Sequence, residues 1–224
     1  MKKLGLEILV GAMVLALGLS VVVAQGRSIN GNDRARVPDP RGTIERGVFV
    51  DYGYHSPPWY PQDCSTAQYE TDTYRWAPTI YWSSLPIATI TVYTGDEPSA
   101  VKGESFAAIK AGFQTWGATT SASLYGSIVE NATSGPGVVL DGGNTVQWGT
   151  IDGPGGIIGA TYYWYWLNTK EMIEFDMILD KDEPWSTIGT STAFDVQNVA
   201  THEAGHTLVL RDISSPKDCG LTMH

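Results

Sequence analysis

The chain is poor in cysteine, in positive charge and in histidine. Two cysteines in 224 residues are too few for a disulfide scaffold. Fourteen Lys and Arg against 24 Asp and Glu leave a formal charge of −10, a field that repels a phosphate backbone and argues against nucleic acid as a partner. No internal repeat and no low-complexity segment is found. Charged residues make up only 17% of the chain and aromatic residues 11%, a balance that excludes global disorder. With 42% hydrophobic residues, the length suits one globular domain with a substantial core.

Long apolar runs are also missing, with one exception at the start. Lys2 and Lys3 precede an apolar stretch from Ile8 to Val23, and Val22-Val23-Ala24 offers a cut after Ala24. Residues 1–24 therefore read as a secretory signal peptide. The alternative is a retained anchor, since the run is nearly long enough to span a bilayer. Either reading places the rest outside the cytoplasm. Cleavage makes the expected protein secreted, with no stable membrane association. In that setting Cys64 and Cys219 can oxidise, and as the two cysteines present they are expected to pair in one disulfide. A second reading makes Cys64 a thiolate that blocks a metal site in a latent form.

Residues 25–73 are rich in Gly, Pro, Asn, Asp and Tyr without a sustained period, and read as an irregular N-terminal extension and candidate pro-region. Regular structure is expected from Tyr74 onward, so residues 74–224 form the expected domain. Ile80–Trp82 and Ile87–Tyr93 have strand composition. A helix is expected from about Lys102 to Trp116, where Phe106, Ile109, Phe113 and Trp116 make one apolar stripe at helical spacing. Val138–Leu140, Thr145–Trp148, Gly159–Trp166 and Ile173–Leu179 read as further strands. A last helix runs from about Asp195, a good N-cap residue, through Leu208. This order implies an α/β fold with a mixed sheet. The aromatic row Tyr162–Trp166 reads as a strand packed on both faces rather than as an exposed gripping surface.

The chemistry concentrates in His202-Glu203-Ala204-Gly205-His206, which holds half of the chain's four histidines. On a helix, residues four apart are neighbours on one face, with Cβ atoms about 5–6 Å apart. Two imidazoles so placed can converge on one Zn2+, with Glu203 beside them to act on a water without being a ligand. A catalytic zinc needs a third protein ligand and one open position. The candidates are Asp212, Asp218, His224 and, upstream, His55. Asp212 can reach the metal only if the helix breaks near Leu208–Leu210 and the chain turns back.

His202-Glu203-x-x-His206-x-x-Val209-x-x-Asp212, followed by Leu221-Thr222-Met223, resembles the metzincin zinc proteases, nearest to the matrixin-like members. Its third ligand is of the snapalysin type, Asp instead of His. The resemblance implies a metzincin-like catalytic domain, a twisted mixed β-sheet packed with two long helices. It assigns the zinc ligands to His202, His206 and Asp212, the general base to Glu203, and the methionine of the Met-turn to Met223. It likens Gly159-Ala160-Thr161 to the edge strand along which substrate lies. The implied function is a secreted zinc-dependent endopeptidase that cleaves protein or peptide substrates by Glu-assisted attack of a zinc-bound water.

Two departures accompany the resemblance. The family usually has Gly where this chain has Val209, and a branched residue is penalised at positive φ. The turn is therefore expected to use another backbone geometry, or to hold Asp212 less well. The chain also stops at His224, one residue after Met223, so the C-terminal part of the domain is expected to be incomplete after the Met-turn. A catalytically weak or inactive zinc-binding module of the same fold is the alternative function. Asp141–Asn144, Asp152-Gly153 and Asp180–Glu183 are acidic turns of a type that can hold Ca2+, and ordinary turn chemistry explains them as well.

Overall fold

Strands precede and follow a single early helix in the computed structural model, which describes residues 39–52, 80–120, 122–212 and 222–223. The elements are β1 (Ile44–Tyr52), β2 (Ile90–Tyr93), α1 (Ser105–Ala118), β3 (Ile128–Asn131), β4 (Asn144–Gly149), β5 (Ile157–Trp166), β6 (Met172–Asp180), β7 (Trp185–Ser186), β8 (Phe194–Asp195) and α2 (Val196–Thr207). Six strands form one mixed sheet in the order β1-β5-β6-β4-β2-β3. β3, β2, β4 and β6 run parallel, β5 runs antiparallel to β6, and β1 runs antiparallel to β5. The short β7 and β8 pair separately.

The two helices pack on the sheet and on each other. Ile109 and Phe113 of the expected stripe are fully buried, with Phe106 and Trp116 packed beside the core. They meet Ile90, Val92, Val146, Phe175 and Met177 from the sheet and Val196, Val199, Ala200 and Ala204 from α2. Truncating a buried Phe of this kind costs about 3–5 kcal/mol, so Phe113 is a principal contributor to the stability of the layer. The helices approach closely at Gly112, where an added Cβ would lie 2.9 Å from the Thr201 backbone nitrogen. Trp116 ties them together, its Nε1 donating to the Thr201 carbonyl at 2.7 Å.

Several sequence expectations shift. Ile80–Trp82 contributes only an isolated bridge from Tyr81 to Glu171, and the Ile87–Tyr93 stretch narrows to β2. Val138–Leu140 is not a strand. Its backbone is captured by buried carboxylates instead of a ladder: Val139 N–H donates to Asp176 at 2.9 Å, and Asp141 and Gly142 N–H donate to Glu174. β3 was not expected, because Ile128–Asn131 has no apolar alternation. Within the stretch read as irregular, residues 44–52 form β1. The signal segment 1–24, His55, Cys64, Asp218, Cys219 and His224 lie outside the described residues. Among the described residues no helix is long and apolar enough to cross a membrane.

Candidate active site

α2 begins where the local chemistry says it should. Asp195 sits in extended backbone at the N-cap, and its side chain accepts from Asn198 N–H at 2.9 Å, satisfying one donor that the first turn leaves open. The helix then carries His202, Glu203 and His206 into the interior, where all three are buried. As four-residue neighbours, the two imidazoles bring their Nε2 atoms to 3.1 Å from each other.

The end of α2 places the third group. Leu208 is the C-cap, Val209 N–H donates to the His206 carbonyl at 2.8 Å, and Leu210 N–H donates to the Gly205 carbonyl at 3.1 Å. This is the Schellman pattern, whose C′ residue is left-handed and usually Gly. Here Val209 takes that position at φ 66°. The sequence-based expectation of another backbone geometry is therefore corrected: the branched residue adopts the glycine-like conformation itself. Its side chain is fully buried with Ile80 and Met172. Burying a Val is worth about 1.5–3 kcal/mol, enough to offset the roughly 1–3 kcal/mol of a strained backbone well.

The turn delivers Asp212. One of its oxygens lies 3.1 Å from His202 Nε2 and 3.1 Å from His206 Nε2, and its side chain is 48% exposed. Three donor atoms thus form a nearly equilateral triangle open to solvent on the aspartate side. Bonds of about 2.0–2.1 Å at tetrahedral angles put neighbouring ligand atoms about 3.3–3.4 Å apart, so the triangle is close to the face a zinc ion requires.

The hydrogen bonds behind the rings fix what these atoms offer. His202 Nδ1 donates to the Thr222 carbonyl at 2.8 Å, and His206 Nδ1 donates to the Leu210 carbonyl at 2.8 Å. A carbonyl can only accept, so both Nδ1 atoms carry a proton, and a neutral ring in this orientation turns its Nε2 lone pair toward Asp212. Two lone pairs and a carboxylate oxygen converging at this distance repel one another unless a cation lies between them. The surrounding carboxylates give the site a field that favours positive charge. Burial pulls the His202 pKa down, but Asp212, Asp51 and Glu203 overrule it and raise it to about 9. Burial pushes Asp212 up, and the two histidines more than reverse this, leaving it well below the usual carboxylate range.

Met223 is fully buried beneath α2. Gly205 makes room for it, since a Cβ there would overlap the Met223 sulfur and press on Trp116. Thr222, next to it, supplies the carbonyl that orients His202. The far end of α2 is held from outside: Tyr125 donates to the Ala204 carbonyl at 2.7 Å, and Trp82 Nε1 donates to the Thr207 carbonyl at 2.8 Å.

Glu203 points the other way, toward β5. Its Oε2 accepts from Thr161 Oγ1, while its Oε1 is buried with no hydrogen-bond partner. An orphaned buried carboxylate oxygen is costly and needs an explanation. Burial raises the Glu203 pKa, against the pull of His206, His202 and Thr161, as a proton acceptor near neutral pH requires. Glu203 shares a donor cluster with His202 and His206, all ligand atoms lying within 4.8 Å. Glu203 Oε2 is engaged by Thr161, whereas an Asp212 oxygen faces both imidazole Nε2 atoms.

Gly159, Ala160 and Thr161 lie on β5 as expected, with different local roles. Gly159 is the gap beside Glu203: a Cβ there would lie 2.7 Å from Oε1. The strand is not the edge of the sheet, because β1 pairs along it. Tyr162, Tyr163, Tyr165 and Trp166 are half-buried and Trp164 is buried, in line with a strand covered on both faces. The acidic turns use their oxygens on the backbone. Asp180 accepts from Ile151 and Asp152 N–H, and Glu183 accepts from Gly155 and Gly156 N–H.

Sequence reasoning missed Phe49 and Asp51. The Phe49 ring is stacked on His206 at 4.3 Å between centroids and 2° between planes. Asp51, whose pKa burial raises, acts electrostatically on His202, Asp212 and His206. No local motif marks either residue; only the pairing of β1 with β5 brings them in.

A family model described as Matrixin, in the peptidase M10 group, matches residues 87–219. Stromelysin-3 of Mus musculus is 39% identical over 67 residues, and that of Xenopus laevis 41% over the same length. Each match covers 30% of this chain and 12% or 13% of the relative, so the chain spans about an eighth of those proteins. The family match covers more than half of the chain and includes α2, its turn and Asp212. The chain therefore belongs to the matrixin family, a zinc metalloprotease-type domain.

Proposed function

We propose that this protein is a secreted zinc-dependent endopeptidase acting on protein or peptide substrates. The observation that carries the reading is the convergence of His202 Nε2, His206 Nε2 and Asp212 on one point, 3.1 Å apart, beside a buried Glu203 with an unpartnered oxygen. His202, His206 and Asp212 would hold the metal, and Met223 would be the packed floor beneath it. When bound, Zn2+ supplies Lewis-acid polarisation of a carbonyl and lowers the pKa of water.

The remaining work falls to this chain's own residues. Glu203 Oε1 takes the proton of the attacking water, while Thr161 holds Oε2 and so fixes the plane of the carboxylate. The same carboxyl then gives the proton to the leaving amine. Asp212 brings a negative charge that a third histidine would not, which holds a cation more firmly. A module that only binds has no use for a buried carboxylate held ready beside the cation, so the non-catalytic alternative is not favoured. Structural calcium at the acidic turns is compatible with this reading and not required by it. Secretion is supported by the Lys2–Ala24 pattern.

The test is Glu203→Gln in the zinc-loaded full chain. Zinc content by atomic emission should stay at the wild-type level while casein hydrolysis falls by about 10²–10⁴-fold, the usual worth of a positioned proton-transfer group. Turnover at the wild-type rate would overturn the assignment.

A further inference from the structure

The carbonyls that the end of α2 leaves open are all satisfied, two of them by groups from far along the chain. A helix stops with its last four carbonyls unpaired; in α2 these belong to Ala204, Gly205, His206 and Thr207. The left-handed turn takes the middle two, through Leu208 and Leu210 N–H on Gly205 and Val209 N–H on His206. The outer two fall to side chains. The Ala204 carbonyl accepts from Tyr125 Oη and from Thr207 Oγ1, each at 2.7 Å. The Thr207 carbonyl accepts from Trp82 Nε1 at 2.8 Å.

Both donors are anchored by their own backbones. Tyr125 bridges to Ile87, whose N–H donates to the Leu124 carbonyl at 2.9 Å and whose carbonyl accepts from Gly126 N–H at 2.8 Å. The Tyr125 ring meets Phe113 edge-on, 5.0 Å between centroids. Burial raises the phenol pKa, so the hydroxyl keeps its proton and donates. Trp82 follows Tyr81, whose N–H donates to the Lys170 carbonyl at 3.0 Å and whose carbonyl accepts from Met172 N–H at 2.7 Å. The same segment supplies Ile80, which with Met172 buries Val209.

The other partners open to these carbonyls would send Asp212 elsewhere. In a continuing helix Ala204 would take Leu208 N–H and Thr207 would take Arg211 N–H. Asp212 would then stand about 9 Å beyond His206 along the axis, at 1.5 Å per residue. In the stopped form it lies 3.1 Å from both imidazoles. Continuation would also release Val209 from its φ of 66°, so the stop works against a local strain. Ala204 and Thr207 are both fully buried, and an unpaired buried carbonyl would add to the pull toward continuation. Tyr125 and Trp82 remove that pull. We propose that Tyr125 and Trp82 are positioning residues of the metal site: by capping Ala204 and Thr207 they end α2 where the chain must turn back, and so bring Asp212 to the two histidines. The inference rests on the reading of His202, His206 and Asp212 as metal ligands.

The experiment uses the full chain as wild type, Tyr125→Phe, Trp82→Phe, Asp212→Ala and the two double variants that add Asp212→Ala. Ile109→Val is the control, since it thins the core and removes no donor to α2. Zinc affinity is read by competition with a chromophoric chelator, and the visible bands of the cobalt(II)-loaded chains report the ligand set. Tyr125→Phe and Trp82→Phe should each weaken zinc binding by about 10-fold, the lower end of what losing a group that orients a ligand costs. Both should move the cobalt bands toward those of Asp212→Ala, and Ile109→Val should change neither reading. With Asp212 already removed, the two aromatic substitutions should cost no further affinity, the non-additivity of groups that act through one another. Equal losses with and without Asp212 would overturn the positioning role. Wild-type affinity in Tyr125→Phe and Trp82→Phe beside a weakened Asp212→Ala would remove that role and leave the ligand reading standing. Wild-type affinity in Asp212→Ala would remove the aspartate as a ligand, and the proposal with it.

Discussion

Gly205 and Met223 are in such close contact that the space for a methyl group on one is filled by the sulfur of the other. The glycine sits in the last turn of α2, and within a helix it is a poor former, by about 1 kcal/mol relative to Ala. Here the usual gain from replacing it is reversed. Gly205→Ala should lower stability by about 1–3 kcal/mol, the cost of overpacking, and thermal unfolding will show it. Met223→Leu, which nearly keeps the volume, should cost less than about 1.5 kcal/mol.

Val209 offers a comparison with an unusual sign. Val209→Ala and Val209→Gly both lose the buried isopropyl group, but only Gly relieves the φ of 66°. The left-handed conformation costs a residue with a Cβ about 1–2 kcal/mol. In urea unfolding the Gly variant should therefore be the more stable of the two by about 1 kcal/mol. An Ala variant at least as stable as the Gly variant would mean that the turn is not under strain.

Asp212 is the exposed member of the donor triangle, so its removal should be tolerated by the fold and not by the metal. Asp212→Ala is expected to weaken zinc binding by more than about 100-fold, beyond what loss of a mere supporting contact to a ligand costs. Competition with a chromophoric chelator measures it. Without zinc the free energy of unfolding should fall only modestly, since the carboxylate that pairs with His202 and His206 is half exposed.

The buried pair Glu174 and Asp176 makes stability depend on pH. Burial raises Glu174 from 4.5 to about 7 and Asp176 from 3.8 to about 6. The folded state thus holds protons that the unfolded chain releases, and stability falls as pH rises through that window. The contribution of Glu174 is fully present below 4.5 and lost as pH passes through about 7. Thermal melts should show the melting temperature dropping across this range. In Glu174→Gln the drop should be shallower, since one of the two titrating groups is gone.

Much of this site was legible because it is local. Asp195 caps α2 from within three residues, and the imidazoles meet because helical spacing makes them meet. The apolar stripe of α1 was readable for the same reason. The rest depends on partners far along the chain. Val138–Leu140 has strand composition, yet Asp176 claims the Val139 N–H and Glu174 the next N–H, of Asp141, from more than thirty residues away. Ile44–Tyr52 carries a glycine and two charges among its first four residues, and becomes a strand only because Tyr162–Trp166 lie alongside it. Val209 misled for a third reason: glycine is the residue expected for a left-handed turn, and a pocket formed with Ile80 and Met172 was not visible from neighbouring positions.

The outermost position of β1 has a consequence for solution behaviour. If it leaves, ten residues of β5 from Ile157 to Trp166 lose their outer neighbour, and a bare strand margin rich in tyrosine and tryptophan is a template for other chains. Detachment should therefore be accompanied by sticking between molecules, visible as concentration-dependent light scattering. On this view the segment keeps the protein dispersed.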